Sequence, residues 1–280
     1  MFRTCLLLAL AFSLLTLTPA PVLAASGRFV VLPPTVKSAA MRAEARKMHD
    51  SGTLQELAKG LNAIFVLPLD ISLRFAECGE ANAYYDPSTR EISMCLELMG
   101  GMAETLDGQF EDEETTANAL AGAFLAVVLH EAGHALVDVL EIPITGREED
   151  AVDQLSAWIL IEAEDVDSVR GAAATYYIDD DVGDDDFADE HSLNKQRYFN
   201  LVCWAYGSDP DNQQDLIESW ELPEARAERC VDEYAMLDRS WKRLLKNHLR
   251  DEGDRAPMTT ESVPRRPTTS LGDAIKDTGD

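Results

Sequence analysis

The chain has 280 residues, and its 51 aspartates and glutamates outnumber its 24 lysines and arginines, which gives a formal net charge of −27. A charge of this sign disfavours binding to nucleic acid and to anionic lipid, because both repel an acidic surface. The length suits one domain, or one domain with a small lobe.

The N-terminus has the pattern of a secretory signal peptide over residues 1–24. Arg3 supplies a positive start, residues 5–17 form an apolar core too short to span a bilayer comfortably, and the Val-Leu-Ala of residues 22–24 resembles a cleavage site. The alternative is an uncleaved anchor. We predict an exported protein, periplasmic or extracellular, with no membrane span after signal cleavage.

Four cysteines remain after removal of the signal, and an even count in an exported chain is typical of two disulfides. Three connectivities are possible. We favour Cys78–Cys95 and Cys203–Cys230, because each pair closes a compact unit. A zinc-cysteine site is the alternative, and the absence of a Cys-x-x-Cys pair in the sequence disfavours it.

Apolar periodicity predicts helices on both sides of a group of strands. Helical patterns cover residues 36–62 with a break at Ser51-Gly52, and strand patterns fall within residues 63–98. The predicted strands are 64–68, 71–76, 83–85 and 91–96. Later helices are predicted up to about Leu140, from Thr145 through Ile161, and at 192–206, 212–219 and 223–249.

Two segments lack apolar periodicity. Residues 172–192 look like an acidic loop, and the aspartates of residues 179–186 could bind Ca²⁺, with a solvated loop as the alternative because EF-hand spacing is missing. Proline, threonine and charged residues dominate residues 251–280, which is typical of disorder. We therefore predict one domain over residues 25–250 and a disordered tail.

The strongest functional signal is His130-Glu131-Ala-Gly-His134, at the end of an apolar run over residues 119–129. Histidines four residues apart lie on one face of a helix, so both imidazoles can reach one zinc ion. Glu131 follows the first histidine, where its carboxylate can take a proton from an attacking water. The alternative is a chance match on a surface helix, which the apolar run disfavours because it is typical of a buried helix.

A catalytic zinc site usually has three protein ligands, so a third is expected beyond the two histidines. The nearby candidates are Glu148, Glu149, Asp150 and Asp153. Thr145-x-x-Glu148 has the pattern of a capping box, which would occupy Glu148 at the helix start.

Glu149 and Asp153 share one helix face, because they are four residues apart. We assign Glu149 as the third metal ligand. Asp153 lies one turn further along, where it can accept the N–H of a ligand histidine, with His130 as the expected partner. The alternative is that residues 147–153 form a solvated charge run.

The motifs His130-Glu-x-x-His134 and Glu149-x-x-x-Asp153 resemble the two-helix signature of gluzincin metallopeptidases, the thermolysin-like class, with a shorter gap than in thermolysin itself. Over about residues 36–249 the chain more closely resembles exported bacterial proteins of the DUF4344 type, whose metallopeptidase activity is inferred from their motifs. The segments that carry this resemblance are 78–84, 130–134, 143–154, 189–197 and 203–210.

The thermolysin-like resemblance also implies residues that contact substrate. In such enzymes an Asn-Ala pair on an edge strand binds the substrate backbone, and Asn82-Ala83 precede a predicted strand here, with an ordinary turn asparagine as the alternative. In zinc peptidases a His, Tyr or Arg often stabilises the oxyanion. His191 is our first candidate for that role, and a histidine without a catalytic role is the alternative. The other candidates are Arg197, Tyr176 and Tyr177.

These patterns predict an α+β, zincin-like fold, with a small, mostly antiparallel sheet packed on the motif helix and a helical C-terminal part. The predicted function is hydrolysis of peptide bonds outside the cytoplasm, with one Zn²⁺ held by His130, His134 and Glu149. Glu131 would be the general base and His191 the oxyanion stabiliser. The expected partner is a peptide or protein substrate.

Two alternative functions stay open. One is a non-catalytic, zinc-stabilised binding protein of the envelope, which Glu131 disfavours because a structural site has no need of that carboxylate. The other is a zinc hydrolase that acts on a non-peptide amide bond.

Overall fold

The computed structural model describes residues 27–178 and 182–250 as an α+β protein with a four-stranded mixed sheet. The predicted signal peptide over residues 1–24 and the predicted tail over residues 251–280 lie outside the described residues. Residues 179–181 of the acidic loop also lie outside them.

The sheet has the strand order β1-β2-β4-β3. Its strands are β1 (Phe29–Val31), β2 (Ile71–Ala76), β3 (Ala83–Asp86) and β4 (Glu91–Cys95). β1 and β4 both pair with β2 in parallel, and only β3 and β4 are antiparallel. The prediction of a mostly antiparallel sheet is therefore wrong. The reason is that β1 and β2 are joined through helices, and such a crossover returns the chain in the same direction.

The strand predicted at residues 64–68 is also wrong, because the preceding helix continues through Ile64. Phe65 and Leu67 then form only isolated bridges, to Leu249 and Gly27. Phe65 and Leu67 are each 1% exposed, so their apolar character reflects burial in the core and not strand pairing.

Two helices precede β2, and the predicted break between them is confirmed. The helices are α1 (Met41–Asp50) and α2 (Thr53–Ile64). Gly52 between them has a φ of 81°, a left-handed conformation that glycine adopts at little cost. After β4, α3 (Leu98–Leu106) leads towards the motif helix.

The central helix is α4 (Glu113–Val139), which carries the H-E-x-x-H motif near its C-terminal end. The Asp112 carboxylate accepts the Thr115 N–H at 2.8 Å and so caps the helix start. α4 contacts β3, β4, α5 (Glu148–Glu162) and α6 (Val166–Thr175), and a helix surrounded in this way can be apolar on all faces. By length and composition α4 could cross a membrane, but most of it is buried inside the protein, and buried core helices pass the same test.

The C-terminal part is helical, as predicted, but one of its helices, α7, lies within residues 172–192, which were predicted to be a loop. It consists of α7 (Asp184–Ala188), α8 (Asn194–Ser208), α9 (Asp215–Glu218) and α10 (Glu224–Leu245). α8 contacts α5, α6 and α10, so it connects the last helix to the layer next to the motif.

The motif helix α4 approaches two neighbouring helices closely at glycines. A Cβ atom on Gly171 of α6 would lie 2.4 Å from the Ala119 carbonyl oxygen of α4. A Cβ atom on Gly133, inside the motif, would lie 2.9 Å from the Val152 Cβ of α5. Real Cβ contacts are not this short, so glycine at these positions sets the spacing between the helices.

Both predicted disulfides, Cys78–Cys95 and Cys203–Cys230, are present. The first joins the loop after β2 to the end of β4, and the second joins α8 to α10. Disulfides persist in oxidising surroundings, so the pairs indicate a periplasmic or extracellular environment.

The Cys203–Cys230 bond is expected to stabilise the helical part by constraining the unfolded chain. Replacing both cysteines by alanine should lower the free energy of unfolding by about 3.5 kcal/mol, the value expected for a loop of this size. Urea denaturation of the variant and of the oxidised parent would measure the difference. Mass mapping without reductant is the check on connectivity, and a fragment that joins Cys78 to Cys203 or Cys230 would contradict it.

Candidate metal centre

The two motif histidines lie side by side on α4, as the four-residue spacing requires. Their ring centroids are 5.0 Å apart. His130 and Glu131 are buried, each with 7% of its surface exposed, although both are polar. Burying such groups is costly unless they have partners, so the groups that face them decide what this part of α4 can do.

The Glu149 carboxylate at the start of α5 meets three histidines. One oxygen, Oε2, lies 3.1 Å from the Nε2 of His130 and 3.1 Å from the Nε2 of His191. The other oxygen, Oε1, lies 3.3 Å from the Nε2 of His134. The structure therefore brings together the four residues that the sequence predicted as metal ligands or as the oxyanion stabiliser: His130, His134, Glu149 and His191.

Each of the three histidines has a second carboxylate on its other ring nitrogen. The Nδ1 of His130 lies 2.8 Å from Asp153, the Nδ1 of His134 lies 2.8 Å from Glu148, and the Nδ1 of His191 lies 3.0 Å from Asp189. If a metal ion took the place of the contacts to Glu149, a carboxylate at Nδ1 would hold the imidazole proton there and leave the Nε2 lone pair for the ion. All three Nε2 atoms are thus oriented towards Glu149 as potential ligand atoms.

The predicted capping box at Thr145 and Glu148 is wrong. α5 begins at Glu148 itself, with Arg147 as the N-cap residue and no capping bond from a described side chain. The N-cap lies two residues later than the pattern indicated, so Glu148 is the first residue of the helix and its side chain reaches His134. Sequence reasoning missed Glu148 and Asp189 as histidine partners. Their only signal was proximity, since each lies within two residues of Glu149 or His191.

Burial and hydrogen bonds within the site shift the pKa values of its carboxylates and histidines in opposite directions. Burial alone would raise the pKa of Glu149, but hydrogen bonds from His130, His134 and His191 hold it well below its usual range. Burial would lower the pKa of His134, but hydrogen bonds to Glu149 and Glu148 raise it to about 9. Burial raises the pKa of Glu131, and this effect exceeds the opposing charges of the neighbouring histidines. A raised pKa suits a carboxylate that must take up a proton near neutral pH.

The donor set fits a transition-metal ion. The Nε2 atoms of His130 and His191 and a carboxylate oxygen of Glu149 all lie within 4.8 Å of one another, so one ion could contact all of them. Imidazole nitrogen and carboxylate oxygen are common ligands of zinc. The carboxylates at the three Nδ1 atoms favour metal binding, because they orient the imidazoles before an ion binds.

Arg197, on α8, holds the Asp153 carboxylate that contacts His130. Its guanidinium donates to both Asp153 oxygens at 2.7 Å, and it stacks on the Tyr176 ring at 4.1 Å. Burial would raise the pKa of Asp153, but Arg197 and His130 hold it at about 2. The Arg197 guanidinium is thus already paired with Asp153, and the Tyr177 hydroxyl donates a hydrogen bond to Glu221 at 2.9 Å. His191 is the candidate whose side chain faces Glu149 directly.

Loss of the Arg197 side chain is expected to destabilise the protein strongly. Arg197→Met would leave Asp153 charged and buried without its partner, which typically costs about 3–5 kcal/mol. Arg170→Met is the matched control, because the Arg170 partner Asp215 is half exposed, and we expect a clearly smaller cost there. Urea denaturation at pH 7 would compare the two variants, and equal losses would contradict a special role for the buried pair.

The same pair gives a pH dependence with a definite sign. The native pKa of Asp153 is about 2, below the value of about 3.9 expected in the unfolded chain. Its contribution to stability is therefore complete above pH of about 4 and is lost as the pH falls towards 2. In Arg197→Met this part of the acid dependence should shrink.

The predicted substrate-binding pair lies at an edge of the sheet that contacts the motif helix. Ala83 is the first residue of β3, which is the edge strand and contacts α4. Asn82 precedes it, is exposed, and its side-chain oxygen accepts the Ala83 N–H at 2.9 Å. Next to this pair, Glu97 accepts the backbone N–H groups of Cys78 and Gly79 and so fixes the preceding loop.

Two other carboxylate clusters do not strengthen a metal assignment. Cys78, Cys95 and Glu97 have suitable spacing for a metal, but the two sulfurs are joined in the disulfide. In the acidic loop, the Asp186 carboxylate accepts the Gly183 N–H at 2.7 Å at the start of α7. Calcium binding by residues 179–186 stays a prediction, since three of those residues lie outside the described part of the chain.

Fold and site together define a class: an α+β protein whose central helix presents H-E-x-x-H to a glutamate from the next helix, as expected of a metal-dependent hydrolase. Comparison with known families agrees. Residues 34–245 match the DUF4344 family, described as "Putative metallopeptidase", and the chain belongs to this family. No curated protein and no solved structure matched the chain.

Proposed function

We propose that this protein is an exported zinc-dependent peptidase with a zincin-like active site, acting on a peptide or protein substrate. The observation that carries the proposal is the convergence of three histidine Nε2 atoms on the Glu149 carboxylate, beside a buried glutamate in H-E-x-x-H. Membership of the metallopeptidase family supports it.

His130, His134 and Glu149 are the proposed zinc ligands. A bound zinc ion would polarise the scissile carbonyl and lower the pKa of a water molecule towards about 7. Asp153 and Glu148 hold the Nδ1 sides of the two motif histidines, so that their Nε2 atoms stay available.

Glu131 is the proposed general base. It lies next in sequence to His130, and its raised pKa lets it accept the proton of the attacking water and return it to the leaving amine. His191 is the proposed oxyanion stabiliser, since its Nε2 reaches the same Glu149 oxygen as that of His130.

The substrate is proposed to bind as an extra strand along β3. This edge strand contacts α4, and its outer backbone groups have no strand partner among the described residues. An extended peptide would take over the Ala83 N–H that the Asn82 side chain now accepts, and its binding beside the motif would be largely independent of its sequence.

A cleavage assay tests the proposal. The exported protein, loaded with zinc, would be incubated with casein and with a peptide library, and new termini would be identified by mass spectrometry. We expect cleavage that a zinc chelator abolishes and that added zinc restores. Zinc-loaded protein without any new terminus would favour the non-catalytic binding protein. Turnover confined to non-peptide amides, offered in parallel, would favour the third alternative.

A further inference from the structure

We infer that His191 is a fourth protein ligand of the resting metal centre, and that substrate must displace it before hydrolysis. This inference rests on the proposed function, because it takes His130, His134 and Glu149 as the other ligands. It goes further by giving the centre a closed resting state, in which a residue of the chain itself competes with substrate.

The first support is the position of the His191 imidazole. Its Nε2 lies 3.1 Å from Glu149 Oε2, and the Nε2 of His130 lies at the same 3.1 Å from the same oxygen. The His130 and His191 rings are nearly parallel, at 19°, with centroids 6.4 Å apart. An ion that contacts His130 and Glu149 is therefore also within reach of His191.

The second support is the carboxylate at the other ring nitrogen. Asp189 faces the Nδ1 of His191 at 3.0 Å, as Asp153 and Glu148 face the Nδ1 atoms of the motif histidines. A histidine that binds a metal through one ring nitrogen commonly donates its other ring N–H to a carboxylate. His191 therefore has the same kind of outer partner as the two proposed histidine ligands.

The third support is that the backbone at His191 is tied to the helix that carries Glu149. Arg147 donates to the His191 carbonyl at 3.1 Å, and the Ser192 hydroxyl donates to Asp150 at 2.6 Å. Asp189 also accepts the His191 backbone N–H at 2.7 Å. These anchors fix where the residue lies, while the side chain is 41% exposed and has room to rotate away from the ion.

Four protein ligands would alter how the enzyme starts a reaction. Structural zinc sites have a full set of protein ligands, whereas catalytic sites keep one position open. A substrate that enters along β3 would have to displace the His191 imidazole, so that a water molecule could take the open position. The released side chain, still anchored next to Glu149, would then lie where it could stabilise the oxyanion.

Metal binding by variants of the exported protein tests the inference without an activity assay. Zinc affinity would be measured by competition with a chromophoric chelator, and coordination by the visible spectrum of the Co²⁺-loaded protein. We expect His191→Ala to weaken zinc binding by about 100-fold or more, at or above the upper end of the 10–100-fold typical for loss of an outer partner. The Co²⁺ spectrum should change in position and intensity.

Two further variants serve as comparisons. Asp189→Asn keeps the imidazole and should weaken binding by about 10-fold. His248→Ala removes a histidine at the end of the helical part, away from the site, and should change neither affinity nor spectrum. Circular dichroism of each metal-free variant would confirm that it is folded.

The two proposals fail in different ways. If zinc binds to the parent and is lost in His134→Ala, but His191→Ala and Asp189→Asn keep the parental affinity and spectrum, the fourth ligand is wrong and the proposed function stands. If the parent does not bind zinc stoichiometrically, or if His134→Ala binds it as well as the parent, the proposed function itself is wrong.

Discussion

Glu131→Gln is expected to abolish hydrolysis while leaving the metal and the fold in place. The amide has nearly the shape of the carboxylate but cannot take a proton from water, and loss of a general base typically costs 10²–10⁴-fold in rate. Glu131 is buried beside His130 and His134, and burial raises its pKa, which are the conditions expected of a base that works near neutral pH.

The measurement is the rate of peptide cleavage at saturating zinc, together with zinc content and unfolding midpoint. Glu104→Gln, on the exposed side of α3, is the matched control and should retain the parental rate. A Glu131→Gln protein that cleaves as fast as the parent would remove the general base from the mechanism. Loss of zinc together with activity would instead indicate that Glu131 is needed for the metal.

Glu149→Ala is expected to cause the largest loss of zinc among carboxylate variants, more than about 100-fold in affinity, because it removes a direct ligand. Asp153→Asn should weaken zinc binding by about 10–100-fold, since the amide is a poorer partner for His130. Glu148→Ala should cost about 10-fold or less, because its side chain is 49% exposed at His134.

Zinc retained after dialysis against a weak chelator would rank these variants. Glu162→Ala, at the far end of α5, is the control for a lost carboxylate on the same helix and should keep its zinc. Should Glu149→Ala hold zinc stoichiometrically while Asp150→Ala or Asp153→Asn loses it, the helix would present an aspartate to the metal and the gluzincin comparison would fail.

Local periodicity explains what could be predicted from the sequence. The relation of His130 to His134, and of Glu149 to Asp153, follows from the repeat of a single helix, and the structure places each pair on one face. The break at Gly52, the helical C-terminal part and the two sequence-local disulfides also depend on nearby residues.

Features that depend on distant parts of the chain could not be predicted in this way. The direction of β1 relative to β2 is set by a crossover through α1 and α2, which leaves no mark in the strand residues. The approach of His191 to Glu149 requires the loop after α7 to fold back onto the start of α5. The sequence around Glu148 fits a capping pattern, but in the structure the Glu148 carboxylate contacts a histidine on another helix.

The close contact at Gly133 bears on how the motif should be recognised in other chains. In H-E-x-x-H the two middle positions are usually treated as free, yet here Ala132 is 0% exposed and a side chain on Gly133 would collide with Val152. A bulky residue at the second position would push α5 outward and carry Glu149 away from both histidines. In this architecture, small middle residues therefore distinguish a motif that can recruit a glutamate from the next helix from a chance match on an exposed one.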